Sequence, residues 1–182
     1  MNTSKSIEFD PDFILWILIQ FRNRNYDLEQ NFRVDFFRDL STSGEERDLI
    51  GKKISTTESE NIAESVPILL TILSGKKPES CKFAFTIDGF SGSIKIEKLS
   101  VLSISHSIGI FKRVSSEEKL LISIHFLNRL LILYKKWLEM PTQEKYPDES
   151  EFLDLVADCK KLGLKIYTVN SIIDEYKRKR GE

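Results

Sequence analysis

The sequence predicts an α+β fold: a small antiparallel β-meander over about residues 81–112, packed by helices from the N- and C-terminal segments. Three observations predict it. Residues 81–106 alternate apolar and polar side chains, the period-2 signature of half-buried strands. Helix-length apolar patterns on either side open on residues that cap free backbone N–H groups. Apolar residues make up 41% of 182, enough for a real core. The length favours one domain over 1–182: mainly helical over 1–75, a meander plus long helix over 81–140, and a C-terminal helix-turn-strand/helix unit with a basic tail over 148–182.

Asp10-Pro11 is a helix start, since aspartate caps and proline needs no donor at the first helical position. The helix runs to about Asn25. Phe13 to Phe21 is apolar on nearly all sides, which predicts a central buried helix. The rival reading is a partner-binding helix, with Trp16 as its interface candidate. Residues 26–55 stay open: Phe32, Val34 and Phe36 alternate as in a strand, while Phe32, Phe36 and Leu40 fit a helix. Ser41 to Gly44 reads as a turn or loop. Thr57 with Glu60 forms a capping-box pattern for a helix through Leu73, which Pro67 kinks or splits. Gly75 stops it, and Lys76 to Ser80 reads as a linker.

Cys81, Phe83, Phe85 and Ile87 then alternate with Lys82, Ala84 and Thr86. Asp88 to Ser93 is hairpin material. Ile94 and Ile96 alternate with Lys95 and Glu97, and the phase breaks at Lys98-Leu99, predicting a turn or bulge. In the strand from Val101 to Phe111, Leu102, Ile104, His106, Ile108 and Ile110 share one face. Ser103, Ser105, Ser107 and Gly109 share the other. A face so flat either has another element packed close or awaits a partner, which makes Ser103, Ser105 and Ser107 interface candidates.

Ser115 with Glu118 caps the clearest helix, to about Met140. Its apolar arc spans about 200°, wider than a surface stripe, and predicts contact with both the meander and a second layer. Leu121 and Ile132 fall within its polar arc and are further interface candidates. Asp148 with Glu151 caps a helix to Lys161, stopped at Leu162-Gly163.

The chemistry is mostly negative. His106 and His125 have no His, Cys or carboxylate at ligand spacing, and Cys81 and Cys159 form no CxxC pair. No GxSxG or GxGxxG occurs. Gly44 to Lys53 has the wrong spacing for a phosphate loop. Asp88 and Glu97 flank the hairpin without the order of a nuclease site. No catalytic residue, metal ligand or cofactor is expected. Two lone cysteines suit a reducing compartment. The first apolar run follows Glu8, Asp10 and Asp12, unlike a leader, and is too short to span a bilayer. A cytoplasmic protein is therefore expected.

Net charge is −1, which names no polyionic partner. Residues 1–60 hold 12 acidic and 8 basic residues; residues 111–182 hold 12 and 14, ending in Lys177-Arg178-Lys179-Arg180. Such a tail suits phosphate. Upstream of it, Cys159, Gly163 and Val169 fall at the small-residue, turn and packing positions of a helix-turn-helix. Leu162, Leu164, Ile172 and Ile173 flank them, and Asp158 departs from the pattern. Residues 155–176 thus resemble a helix-turn-helix unit. The resemblance implies that Lys165, Tyr167, Thr168, Asn170 and Ser171 face the major groove, with Lys177, Arg178, Lys179 and Arg180 on phosphates. Residues 165–169 also suit an edge strand before a short terminal helix, and their Tyr and β-branched content favours that reading.

The leading expectation is a non-enzymatic module that binds another protein or itself, of inhibitor, immunity, adaptor or structural type. It acts through a sheet edge and a helix surface. The alternative is a DNA-binding regulator using residues 155–180.

Overall fold

The computed structural model describes residues 8–43, 53–56, 65–106, 115–163, 166 and 169–182. The fold is α+β. In chain order the elements are α1 (Pro11–Arg22), β1 (Asp27–Glu29), β2 (Phe32–Ser43), β3 (Lys53–Thr56), α2 (Val66–Leu73), β4 (Lys77–Ile87), β5 (Phe90–Glu97) and β6 (Ser100–His106). The helices α3 (Ser116–Glu139), α4 (Thr142–Lys145), α5 (Glu149–Lys161) and α6 (Asn170–Arg180) follow. The sheet is antiparallel with order β1-β2-β4-β5-β6, and β3 pairs with the far end of β2.

The expected meander is therefore β4-β5-β6, and the sheet extends beyond it through β2. The open segment 26–55 resolves as strand. Its alternation is hard to read because the β2–β4 register shifts between Val34 and Phe36 and between Phe37 and Asp39. Each shift flips the phase, so Phe37 is buried and Phe36 only half-buried. Ser41 to Ser43 belongs to β2, not to a loop. Lys77 to Ser80 belongs to β4, not to a linker. Pro78, which lacks a donor, sits beside a third register shift, opposite Thr42.

Asp10 caps α1 by accepting from the Asp12 N–H at 2.8 Å. Residues 12 to 19 are all buried, as the apolar run predicts for a central helix. The α1 helix lies on β4, and Phe13 stacks with Trp16 and packs on Tyr134 and Trp137 of α3. Pro67 falls in the first turn of α2, so the helix starts there instead of kinking. The Thr57–Glu60 pattern lies outside the described residues. The α3 and α5 helices both carry complete capping boxes, from Ser115 with Glu118 and Asp148 with Glu151. Gly163, at φ +78°, ends α5.

The β4–β5 turn is only Asp88-Gly89, both at positive φ as a type I′ hairpin requires, and Ile87 pairs with Phe90. Gly92 is thus a strand residue, not turn material. A Cβ there would lie 2.8 Å from the Ser105 carbonyl oxygen and 3.0 Å from the Phe126 ring. Its absence lets Phe126 seat edge-on against Phe85, with ring centroids 4.8 Å apart. The phase break at Lys98-Leu99 is a second two-residue turn, at φ +49° and +63°.

One bulge corrects the serine strand. The β5–β6 register shifts so that Ile96 opposes Val101 and Ile94 opposes Ile104. Val101 therefore joins the core side, and Leu102 is turned out, 58% exposed. Ser103 and Ser105 face away from the helices, and both are exposed. Ser107 and Gly109 lie outside the described residues.

Candidate functional site

The densest polar cluster joins the first and last helices. Asp12 of α1 accepts from the Tyr176 hydroxyl at 2.5 Å and Lys77 Nζ at 3.2 Å through Oδ1, and from Lys179 Nζ at 2.5 Å through Oδ2. Lys77 Nζ also donates to Tyr176 Oη at 2.6 Å and Glu175 Oε1 at 3.0 Å. The two ammonium groups lie 4.3 and 4.7 Å from the Tyr176 ring centroid. Burial pushes the Asp12 carboxyl up. The Lys77 charge and the hydrogen bonds from Lys179 and Tyr176 outweigh that and hold it below its ordinary range. Burial and the Asp12 charge push the Tyr176 phenol far up, so it stays a donor. The cluster ties α1, β4 and α6 together. The sequence reading missed it because Asp12 and Tyr176 are 164 positions apart.

A second cluster involves one of the two histidines. His125 Nε2 lies 2.9 Å from Asp88 Oδ2, which Arg129 Nε approaches to 3.8 Å. Arg129 also donates to the Gln30 carbonyl, and Lys136 pairs with Glu29. The hydrogen bond from His125 holds the Asp88 carboxyl below its ordinary range. His125 thus has the carboxylate that its sequence neighbours did not supply, and shares it with Arg129. Chemically the arrangement fastens the hairpin turn and β1 to α3. The His106 side chain lies outside the described residues.

Other groups offer less. Cys81 and Cys159 are buried and unbridged, and burial followed by the Asp39 charge pushes the Cys81 thiol up, away from a reactive thiolate. A cavity of about 570 Å³ between the end of α1 and α5 is lined by Arg22, Arg24, Asp158 and Lys161, among others. There Asp158 pairs with both Arg22 and Lys161. Among the described residues no three His, Cys, Asp or Glu converge as metal ligands, and no helix is long and apolar enough to cross a membrane.

The interface candidates separate. Trp16 is 7% exposed and belongs to the core, because α1 is enclosed by sheet and helices. Ser103 and Ser105 lie on the open sheet face, where Ser93 Oγ and Ser105 Oγ are 2.6 Å apart. Among the described residues no element covers this face. Leu121 is 65% exposed and Ile132 half-buried. The apolar arc of α3 divides. Phe126, Leu130, Leu133 and Trp137 face the core, while Leu120 (61%), Ile124 (54%) and Leu138 (48%) stay exposed. The sequence reading counted these last three as packed, since the arc's width shows apolar positions without saying what covers them.

The second helix opens later than the helix-turn-helix pattern places it. Lys165, Tyr167 and Thr168 lie outside the described residues. Val169, which should sit inside the second helix, precedes it: α6 opens at Asn170, and Ile166 is in neither strand nor helix. Asn170 and Ser171 are exposed. Lys177 pairs with Glu149 at 2.6 Å, Lys179 with Asp12, and Arg178 Nε donates to the Asp174 carbonyl. Arg180 donates to the carbonyls of Gln143 and Tyr146. The basic tail closes the fold by its own contacts. Comparisons with protein-family models, with curated proteins and with solved structures find no match for this chain.

Proposed function

We propose that the chain is a non-enzymatic protein-binding or self-assembling module, of inhibitor, immunity, adaptor or structural type. It acts through the outer surface of α3 and the β6 edge of the sheet. The observation that carries this reading is the set of exposed Leu120, Leu121, Ile124 and Leu138 on a helix whose opposite side is buried from Phe126 onward. Large apolar side chains gathered on one helix surface are what helix-mediated recognition uses, and they cost solubility when unmatched. The edge position of β6, with Leu102 turned out and Ser103 and Ser105 exposed, supports a second contact by strand addition. The internal pairing of Lys177 and Lys179 supports a protein partner over a polyanionic one.

The test is the mass of the complex that the chain forms in its native lysate, for wild type and Ile124→Glu. Wild type is expected in a particle of defined stoichiometry and Ile124→Glu as a monomer with unchanged circular dichroism. A wild-type monomer in that lysate overturns the reading.

A further inference from the structure

We infer that α3 pairs antiparallel with α3 of a second copy of this chain; this rests on the reading above and names its partner. The face opposite the buried line of Phe126, Leu130, Leu133 and Trp137 carries Glu117 near its start and Lys135 near its end, with Leu138 beyond it. Glu117 and Lys135 are both exposed and lie eighteen positions apart, about five helical turns, so they share one line along the helix. Between them the same face carries the exposed Leu120, Leu121, Ile124 and Asn128 and the half-buried Leu131 and Ile132. It is therefore a largely apolar strip about 27 Å long, interrupted by Asn128, with a carboxylate towards one end and an ammonium towards the other.

Such a strip is self-complementary in one orientation only. Running antiparallel about a two-fold axis near residue 126, Glu117 of each copy meets Lys135 of the other. Leu121 then meets Leu131, Leu120 meets Ile132, and Ile124 meets Asn128. Two ion pairs close the ends, and the two helix dipoles oppose. Running parallel, Glu117 meets Glu117 and Lys135 meets Lys135, and like charges face each other at both ends. The two-fold arrangement also explains the sequence pattern: Leu121 and Ile132 break the polar arc where the antiparallel register needs apolar groups.

The experiment is sedimentation velocity with light scattering on the purified full chain over about 1 to 200 µM, where self-association appears as concentration dependence. The expected result is a mass that doubles from 21.1 kDa. Ile124→Glu should stay a monomer with an unchanged thermal midpoint. Glu117→Lys and Lys135→Glu should each weaken the dimer about tenfold or more, and mixing the two variants should restore it, because each then meets its opposite charge. A wild-type chain that stays at 21.1 kDa throughout overturns the pairing. So does a wild-type dimer that neither charge variant weakens. If the purified chain is a monomer while the native-lysate complex still depends on Ile124, the pairing fails and the broader reading stands. If both are monomers, both fail.

Discussion

The hydroxyl of Tyr176 donates to Asp12 Oδ1 at 2.5 Å, so the last helix is hydrogen-bonded to the first turn of the first. Removing the hydroxyl leaves a buried carboxylate with one donor fewer. Tyr176→Phe is expected to cost about 1–3 kcal/mol, read as a lower urea midpoint at unchanged m-value. A midpoint equal to wild type would mean that the bond adds nothing.

Acid sensitivity follows from the same carboxylate. Its folded-state pKa lies below the ordinary value, so its contribution is complete above the unfolded pKa of about 3.9 and is lost as pH falls through the folded value. Asp12→Asn should be less stable than wild type at pH 7 and lose less stability below pH 4. Parallel stability–pH curves for the two proteins would refute the assignment.

Lys179 and Arg178 are neighbours in sequence with opposite roles. Lys179 reaches Asp12, whereas Arg178 is exposed. Lys179→Gln should lower stability by about 1.5–3 kcal/mol, and Arg178→Gln by no more than about 0.5. Equal effects, or salt-sensitive DNA retardation lost in both variants, would return the tail to a phosphate-binding role.

Gly92 tests the seating of α3 on the sheet. Gly92→Ala puts a methyl against the Ser105 carbonyl and the Phe126 and Phe85 rings, and should destabilise by about 1–3 kcal/mol. Adding Phe126→Leu should not recover the loss, because the closest atom belongs to backbone. Full recovery would show that the ring alone sets the fit.

The Lys98-Leu99 turn places two non-glycine residues at positive φ. Leu99 is held there: its N–H donates to the Glu79 carbonyl at 3.0 Å, and its carbonyl accepts from the Phe9 N–H at 2.7 Å. Lys98 is exposed, so Lys98→Asn should raise stability by about 1 kcal/mol by relieving left-handed strain. A thermal midpoint at or below that of wild type would deny that strain.

What was legible in the sequence was local. The α1, α3 and α5 helices announce themselves through Asp10, Ser115 and Asp148 and through period 3.6 over long runs. The β4–β5–β6 strands do so through period 2. The β2 strand was not legible, because its register shifts move burial from Phe36 to Phe37. The bulge at Leu102 hid for the same reason. The Asp12–Tyr176 and Asp88–His125 contacts have no sequence signal, since each joins residues that only the tertiary fold brings together. The exposed flank of α3 was half legible: Leu121 and Ile132 stood out against polar neighbours, whereas Leu120 and Ile124 looked like core.

The enclosure of α1 also sets an order of events during synthesis. This helix leaves the ribosome before the residues that cover it, with apolar side chains on nearly every side. Some of its cover is made much later: Trp137, and then Tyr176, which lies 164 positions after Asp12. At about 5–20 residues per second, its apolar surface waits on the order of ten seconds for that cover. A truncation before Tyr176 leaves α1 without part of that cover.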